Sequence, residues 1–206
     1  MRPAAVAFAL FLLAAMLGSP ISAAAPGDVA SEWASPTDYP SGLASDGAHV
    51  FLADWRSAKI HQIDPSDAVV VRTIDAPTLN PHGLTFGEGL LWVSDDHTGG
   101  IFAMDLETGI VENIFQAPQE RAAGLAYHDG VLFVLAGDRI YRVTPDDGTI
   151  LGSFEVPHAG ARCIAHDGTY LWVSNRVEDE IYLVDPNRDG KVISILPSPG
   201  PYPAGL

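Results

Sequence analysis

The sequence predicts an all-β propeller, a ring of four-stranded blades. Three observations carry that prediction: a repeat of about forty residues, four short strand-like runs inside every repeat, and a glycine column that opens each one. Gly42, Gly83, Gly124, Cys163 and Gly205 occupy the column, at steps of 41, 41, 39 and 42 residues. Phe51, Trp92, Phe133 and Trp172 form a second column, and Ile60, Ile101, Ile140 and Ile181 a third. No window sustains apolar residues at i, i+3, i+4 and i+7, so a helical repeat of similar period is excluded.

Taken in chain order, the first element is a leader over residues 1–24. Arg2 supplies a positive start, "AAVAFALFLLAAML" an apolar stretch, and Ser22 and Ala24 the small residues of a cleavage site. The expected product is secreted or periplasmic, with a propeller domain over 25–206. "SEWASP" follows; its Trp33 falls where Phe115 and Phe154 stand in the outermost strand D of later repeats. Four full blades are expected over about 39–77, 80–118, 121–157 and 161–199. In the third, "GLAY", "VLFVLA", "RIYRVT" and "TILGSFEV" read as strands A to D. Asp129-Gly130 marks a tight A–B hairpin, and "PDDG" the C–D turn. The closing "GPYPAGL" keeps the spacing of every earlier blade entrance, so residues 201–206 read as the first strand of a further, incomplete blade whose outer strand is 29–36. On this reading the sequence is a piece of a longer propeller.

Eleven Lys and Arg face 26 Asp and Glu, a formal net charge of −15, which excludes nucleic acid and, once the leader is cleaved, anionic membrane as partners. The single cysteine cannot form an internal disulfide, so stability must come from packing.

The recurring text G-L-x-x-D-G-x-x-L-W-V-S-D, followed by I-Y-x-x-D-P and a glycine, resembles the secreted propellers of the NHL-repeat, gluconolactonase-like and virginiamycin B lyase-like superfamily. The resemblance spans 29–206 and implies the fold, while such repeats serve lactonases, lyases, cyclotransferases and plain binding modules alike. Gluconolactonase-like relatives hold a divalent metal with Glu, Asn and Asp, largely at the residue before the column glycine. Here that position reads Ser41, His82, Ala123, Arg162 and Ala204, with neither carboxylate nor amide. Lyase-like relatives use a channel histidine with a metal, to which His82 compares.

Strand A is innermost, so these residues are expected at the mouth of a central channel. The D–A and B–C loops share that face, and the A–B and C–D turns share the other. Thirteen residues on, at the end of strand B, stand Asp54, Asp95, Ala136 and Asn175. A hairpin centred on the A–B turn would set each pair side by side, ~5 Å between Cβ atoms. His82 with Asp95, supported by Asp96 and His97, is then the best candidate for chemistry, because a carboxylate beside an imidazole fixes its tautomer and raises its basicity. Ser41, Asp54, His82, Asp95, His97, Arg162 and Asn175 are the expected ligand-binding residues.

Other residues invite plainer readings. Asp64, Asp105 and Asp185 at the ends of strands C suit turn caps. Trp92 and Trp172 suit inter-blade core, Cys163 a buried thiol, His128 and His166 the turns of the opposite face, and "RVEDEIY" an exposed acidic loop. His158 lies on the binding-face side. The expected function is a scaffold that binds a small molecule or a protein through its D–A/B–C face, with no cofactor demanded by the residues themselves. The alternative is a lactonase-like hydrolase or lyase at the channel mouth, assisted by calcium, magnesium or zinc.

Overall fold

The computed structural model describes residues 5–8 and 27–206. Apart from Ala5–Phe8, the expected leader lies outside the described residues. Four antiparallel four-stranded sheets make up the rest, with no helix among the described residues. The first comprises β3 (Pro40–Ser45), β4 (Val50–Asp54), β5 (Lys59–Ile63) and β6 (Val70–Asp75); the strands β1 (Ala5–Phe8) and β2 (Ser31–Ala34) precede it. The second holds β7 (Pro81–Gly87), β8 (Leu90–Asp95), β9 (Gly100–Met104) and β10 (Val111–Gln116). The third holds β11 (Ala122–His128), β12 (Val131–Ala136), β13 (Arg139–Val143) and β14 (Ile150–Glu155). The fourth holds β15 (Ala161–His166), β16 (Leu171–Asn175), β17 (Glu180–Asp185) and β18 (Lys191–Pro197). Each sheet runs A-B-C-D from the inside outwards, the architecture of a four-bladed propeller.

Local chemistry explains the turns. Glu88-Gly89 and Asp129-Gly130 both have positive φ at each residue, the primed two-residue hairpin that matches strand twist. In blades one and four the same "DG" letters open four-residue loops instead. There Asp46 accepts the amides of Ala48 and His49, and Asp167 those of Thr169 and Tyr170. Asp64, Asp105 and Asp185 cap the C–D turns by accepting the amides of Ser66, of Glu107 and Thr108, and of Asn187.

Blades pack through their column residues and through three apolar clusters. A Cβ on Gly42 would lie 1.9 Å from the His82 carbonyl oxygen, and one on Gly83 2.8 Å from the Leu125 nitrogen, so only glycine lets neighbouring innermost strands approach backbone to backbone. Phe51 and Ile60 join Leu84, Leu91 and Val93 between blades one and two. Trp92, Ile101 and Phe115 join Leu132 and Val134 between blades two and three. Phe133, Ile140 and Phe154 join Ile164, Val173 and Tyr182 between blades three and four. No such cluster joins blade four to blade one among the described residues. Trp172, in the same column as buried Phe51, Trp92 and Phe133, is therefore only half-buried, and its indole Nε1 donates to Asp167 Oδ2 at 2.9 Å.

The gap between blades four and one is entered by the tail. A Cβ on Gly205 would meet Leu43 at 2.9 Å, as one on Gly42 meets blade two. The buried Cys163 thiol sits within reach of the backbone of Leu206 and Leu43 and donates weakly to Ile164 O at 3.8 Å; burial pushes its pKa up. Residues 204–206 thus stand in a fifth innermost place, although without strand pairing. Ser31–Ala34 forms a strand, as the sequence suggests, and pairs with Ala5–Phe8.

Gly42→Ala is expected to destabilise the protein by roughly 3 kcal/mol, because its new methyl meets backbone that cannot retreat. Gly200→Ala, with open space around it and no left-handed φ, should stay within about 1 kcal/mol of the parent. Urea denaturation of the two variants makes the comparison.

Candidate functional site

The channel mouth is a cavity of about 580 Å³. From the D–A side come Pro40, Asn80 and Arg121, with Tyr202, Pro203 and Ala204 of the tail. From the B–C side come Trp55, Asp96, His97 and Arg176. His82 and Arg162, one residue before their column positions, form its inner part. The expected division of loops between the two faces is what builds this mouth.

The expected pairing across each hairpin is not. Pro40 faces Asp54, Pro81 faces Asp95 and Ala161 faces Asn175, one residue earlier than the sequence spacing suggests. A bulge in every strand A, at Ser41-Gly42, His82-Gly83 and the matching places, absorbs the offset. His82 and Asp95 accordingly turn to different partners. The expected acid-imidazole pair does not form, and with it goes the enhanced basicity that pair would give.

Asp54, Asp95 and Asn175 are buried turn caps and do not line the cavity, contrary to the sequence expectation. Asp95 Oδ1 accepts the amides of His97 and Thr98, each at 2.7 Å, and Oδ2 accepts the Thr78 hydroxyl. Asp54 repeats the arrangement with Arg56, Ser57 and Thr37. Burial alone would raise both carboxyls; the threonine hydroxyls and turn amides outweigh it and hold both below the usual carboxylate range. Asn175 Oδ1 accepts the amides of Val177 and Glu178, while its Nδ2 donates to Ala159 O.

Ser41 and His82 share a different duty. The Ser41 hydroxyl donates to Pro81 O at 2.9 Å, and His82 Nδ1 donates to Ala123 O at 2.7 Å, each bonding the innermost strand of the next blade. For His82 this fixes the tautomer: Nδ1 carries the proton, and Nε2 keeps its lone pair. No buried side-chain nitrogen or oxygen among the described residues lacks a hydrogen bond, so Nε2 is the atom that His82, only 5% exposed, shows to the cavity. Burial, and then the positive charges of Arg162 and Arg176, push its pKa down to about 4 in spite of Asp96. It is a neutral acceptor and a weak base.

Arg162 spans the mouth. Its Nη2 lies 3.2 Å from Asp96 Oδ2, a contact between blades four and two that only the convergence of innermost strands permits. His97 is exposed at the rim, as expected. His158 lies aside, stacked on Tyr182 at 5.4 Å and 3.4 Å from Glu178. The "RVEDEIY" loop turns Glu178 and Glu180 onto the Tyr182 hydroxyl, and burial, followed by these two carboxylates, raises its pKa. His128 and His166 stack at 4.0 Å on the opposite face. Among the described residues, no group of three or more His, Cys, Asp and Glu side chains converges in a way that could hold a metal ion.

Trp55, Asn80, Arg121, Arg176 and Tyr202 are among the lining residues that the sequence analysis missed. A signal was present: Trp55, Asp96 and Arg176 stand one place beyond the strand-B column, and Asn80, Arg121 and Tyr202 three places before the glycine column. Around them, Trp55 meets Tyr39 edge-on at 5.4 Å, and the Arg56 guanidinium lies over Tyr39 at the same distance.

A histidine whose folded pKa lies near 4 against 6.5 unfolded binds its proton less well in the folded state. Its contribution is therefore complete above pH 6.5 and is lost as pH falls towards 4, by up to roughly 3 kcal/mol. The capped aspartates lose theirs only below about 3.8, where their unfolded forms protonate. Stability measured by urea denaturation should fall between pH 6.5 and 4, and His82→Gln should flatten that part of the profile.

No protein-family model and no curated protein matches the chain. Among solved structures it is similar to glutaminyl cyclase from Myxococcus xanthus, with a TM-score of 0.69 at 17% identity over 78% of this chain and 71% of that one. It is also similar to virginiamycin B lyase from Staphylococcus aureus, TM-score 0.54 at 21% identity over 82% and 60%, and to a streptogramin B lyase, TM-score 0.54 at 22% identity over 80% and 56%. The chain thus spans less than two thirds of either lyase. Likeness at such identity is one of fold: the chain is a β-propeller, sharing its architecture with glutaminyl cyclase and virginiamycin B lyase.

Proposed function

We propose that the protein is an exported binding propeller that takes a small molecule at the D–A/B–C mouth. The observation that supports this most is the cavity itself, which all four blades and the tail line and which presents both polar and aromatic side chains. Most of the acidic and amide groups around it are committed elsewhere: Asp54, Asp95 and Asn175 spend their hydrogen bonds on their own turns and on the adjoining D–A segments. What remains facing inward is suited to recognition.

A metal-assisted hydrolase or lyase at the same mouth is the second reading, favoured by the His82 Nε2 lone pair. That atom could serve as one ligand for calcium, magnesium or zinc. Two experiments separate the readings. In crystals soaked with a mixture of neutral, cationic and anionic organic fragments, the binding reading expects density between Trp55 and Tyr202; fragments found only elsewhere would contradict it. In calorimetric titrations with calcium, magnesium and zinc, it expects no tight site that disappears on His82→Ala. Such a site would establish the second reading in its place.

A further inference from the structure

The geometry points to a small organic anion, a carboxylate or phosphate carried on an apolar ring, as the ligand class of this mouth. The inference rests on the binding reading and sharpens it. Its first ground is charge. Arg121, Arg162 and Arg176 line one cavity whose only carboxylate is Asp96, on a chain whose formal net charge is −15. Three of the eleven basic residues are gathered where the rest of the surface is acidic. Like charges brought this close oppose folding unless something else holds them, and a bound anion would relieve the repulsion.

The second ground is availability. Arg162 is held by Asp96, but the exposed guanidinium groups of Arg121 and Arg176 form no ion pair with another described residue, so their donors are open to a ligand. Arg121 is presented by a backbone of φ 64°, the left-handed region that a branched or long side chain rarely adopts, and Tyr202, in the same place before its own column glycine, has φ 57°. The Tyr202 amide donates to Asp179 Oδ1 at 2.7 Å, which fixes that turn.

The third ground is the wall opposite. Trp55 is 42% exposed and Tyr202 75% exposed, flat faces at the rim of a charged site, with Tyr39 packed edge-on against Trp55 and the Arg56 guanidinium over Tyr39. Planar guanidinium groups bind carboxylate and phosphate oxygens in pairs, and an aromatic face beside them stacks on a ring. His82 completes the set as a neutral acceptor: its Nε2 accepts a hydroxyl or a protonated phosphate oxygen without adding charge.

Benzoate and phenyl phosphate are the probes, with benzamide as the neutral isostere and benzamidinium as the cation, followed by Trp fluorescence and by chemical-shift changes at Trp55 and Tyr202. The anions are expected to bind about tenfold more tightly than benzamide, and benzamidinium more weakly than either, with the anion affinity falling as salt rises. Arg121→Gln and Arg176→Gln should each weaken the anions several-fold and leave benzamide unchanged. Asp96→Asn should tighten them several-fold by releasing Arg162. Equal binding of anion and isostere at this mouth would overturn the inference while leaving the binding reading intact. Failure of every probe to perturb Trp55 or Tyr202 would overturn both, and anion binding unmoved by all three variants would place the ligand elsewhere.

Discussion

The close approach of the innermost strands at Gly42, Gly83 and Gly124 is the constraint on which the remaining structure depends. With no Cβ in the way, the backbone of one blade lies against the backbone of the next, and the column residue fixes where each strand A sits along the channel. Everything radial follows from that spacing. The apolar clusters form because strands B and C of successive blades are then near enough to interdigitate, and outer strands such as β6 stay exposed because no blade covers them. Cys163 tolerates a side chain in the column because its neighbour is the irregular tail, not a full blade.

The same constraint makes the mouth. A bulge before each column residue turns Ser41 and His82 towards the next blade, where they bond its carbonyls, and leaves Arg162 to cross the channel. Buried polar side chains are thereby concentrated at one end. The B–C turns are stiffened by buried caps, Asp54, Asp95 and Asn175, which bond both their own turn and the adjoining D–A segment. Rigid loops can then hold Trp55, Asp96 and Arg176 in place, one residue beyond the caps. A capped turn with an outward-facing next residue is a simple way to build a binding rim on a repeat.

Much of the fold was legible because the repeat encodes it locally. The "DG" turns, the strand alternation and the glycine column each state their own conformation, and the strand at Trp33 appears where the spacing places it. The candidate site was legible to within one residue. Counting thirteen from His82 reaches Asp95, but the bulge at Gly83 shifts the register, so the true wall is the adjacent column of Trp55, Asp96 and Arg176. Bulges leave no signature in a single sequence beyond the glycine itself, which has another reason to be there. The place of Arg121 and Tyr202, three before the column, could be read from the repeat, but their left-handed backbone, unfavourable for such side chains, could not.

Nuclear Overhauser spectroscopy on the labelled protein measures the central contact directly. If backbone approach at the glycine column orders the ring, the Hα of Gly42 that stands in place of a Cβ must give a strong effect to the Leu84 amide, that of Gly83 to the Leu125 amide and that of Gly124 to the Ile164 amide. Well-dispersed strand signals from all four blades without those three cross-peaks would show blades packed by side chains alone, and would contradict this account of the ring and of the mouth it forms.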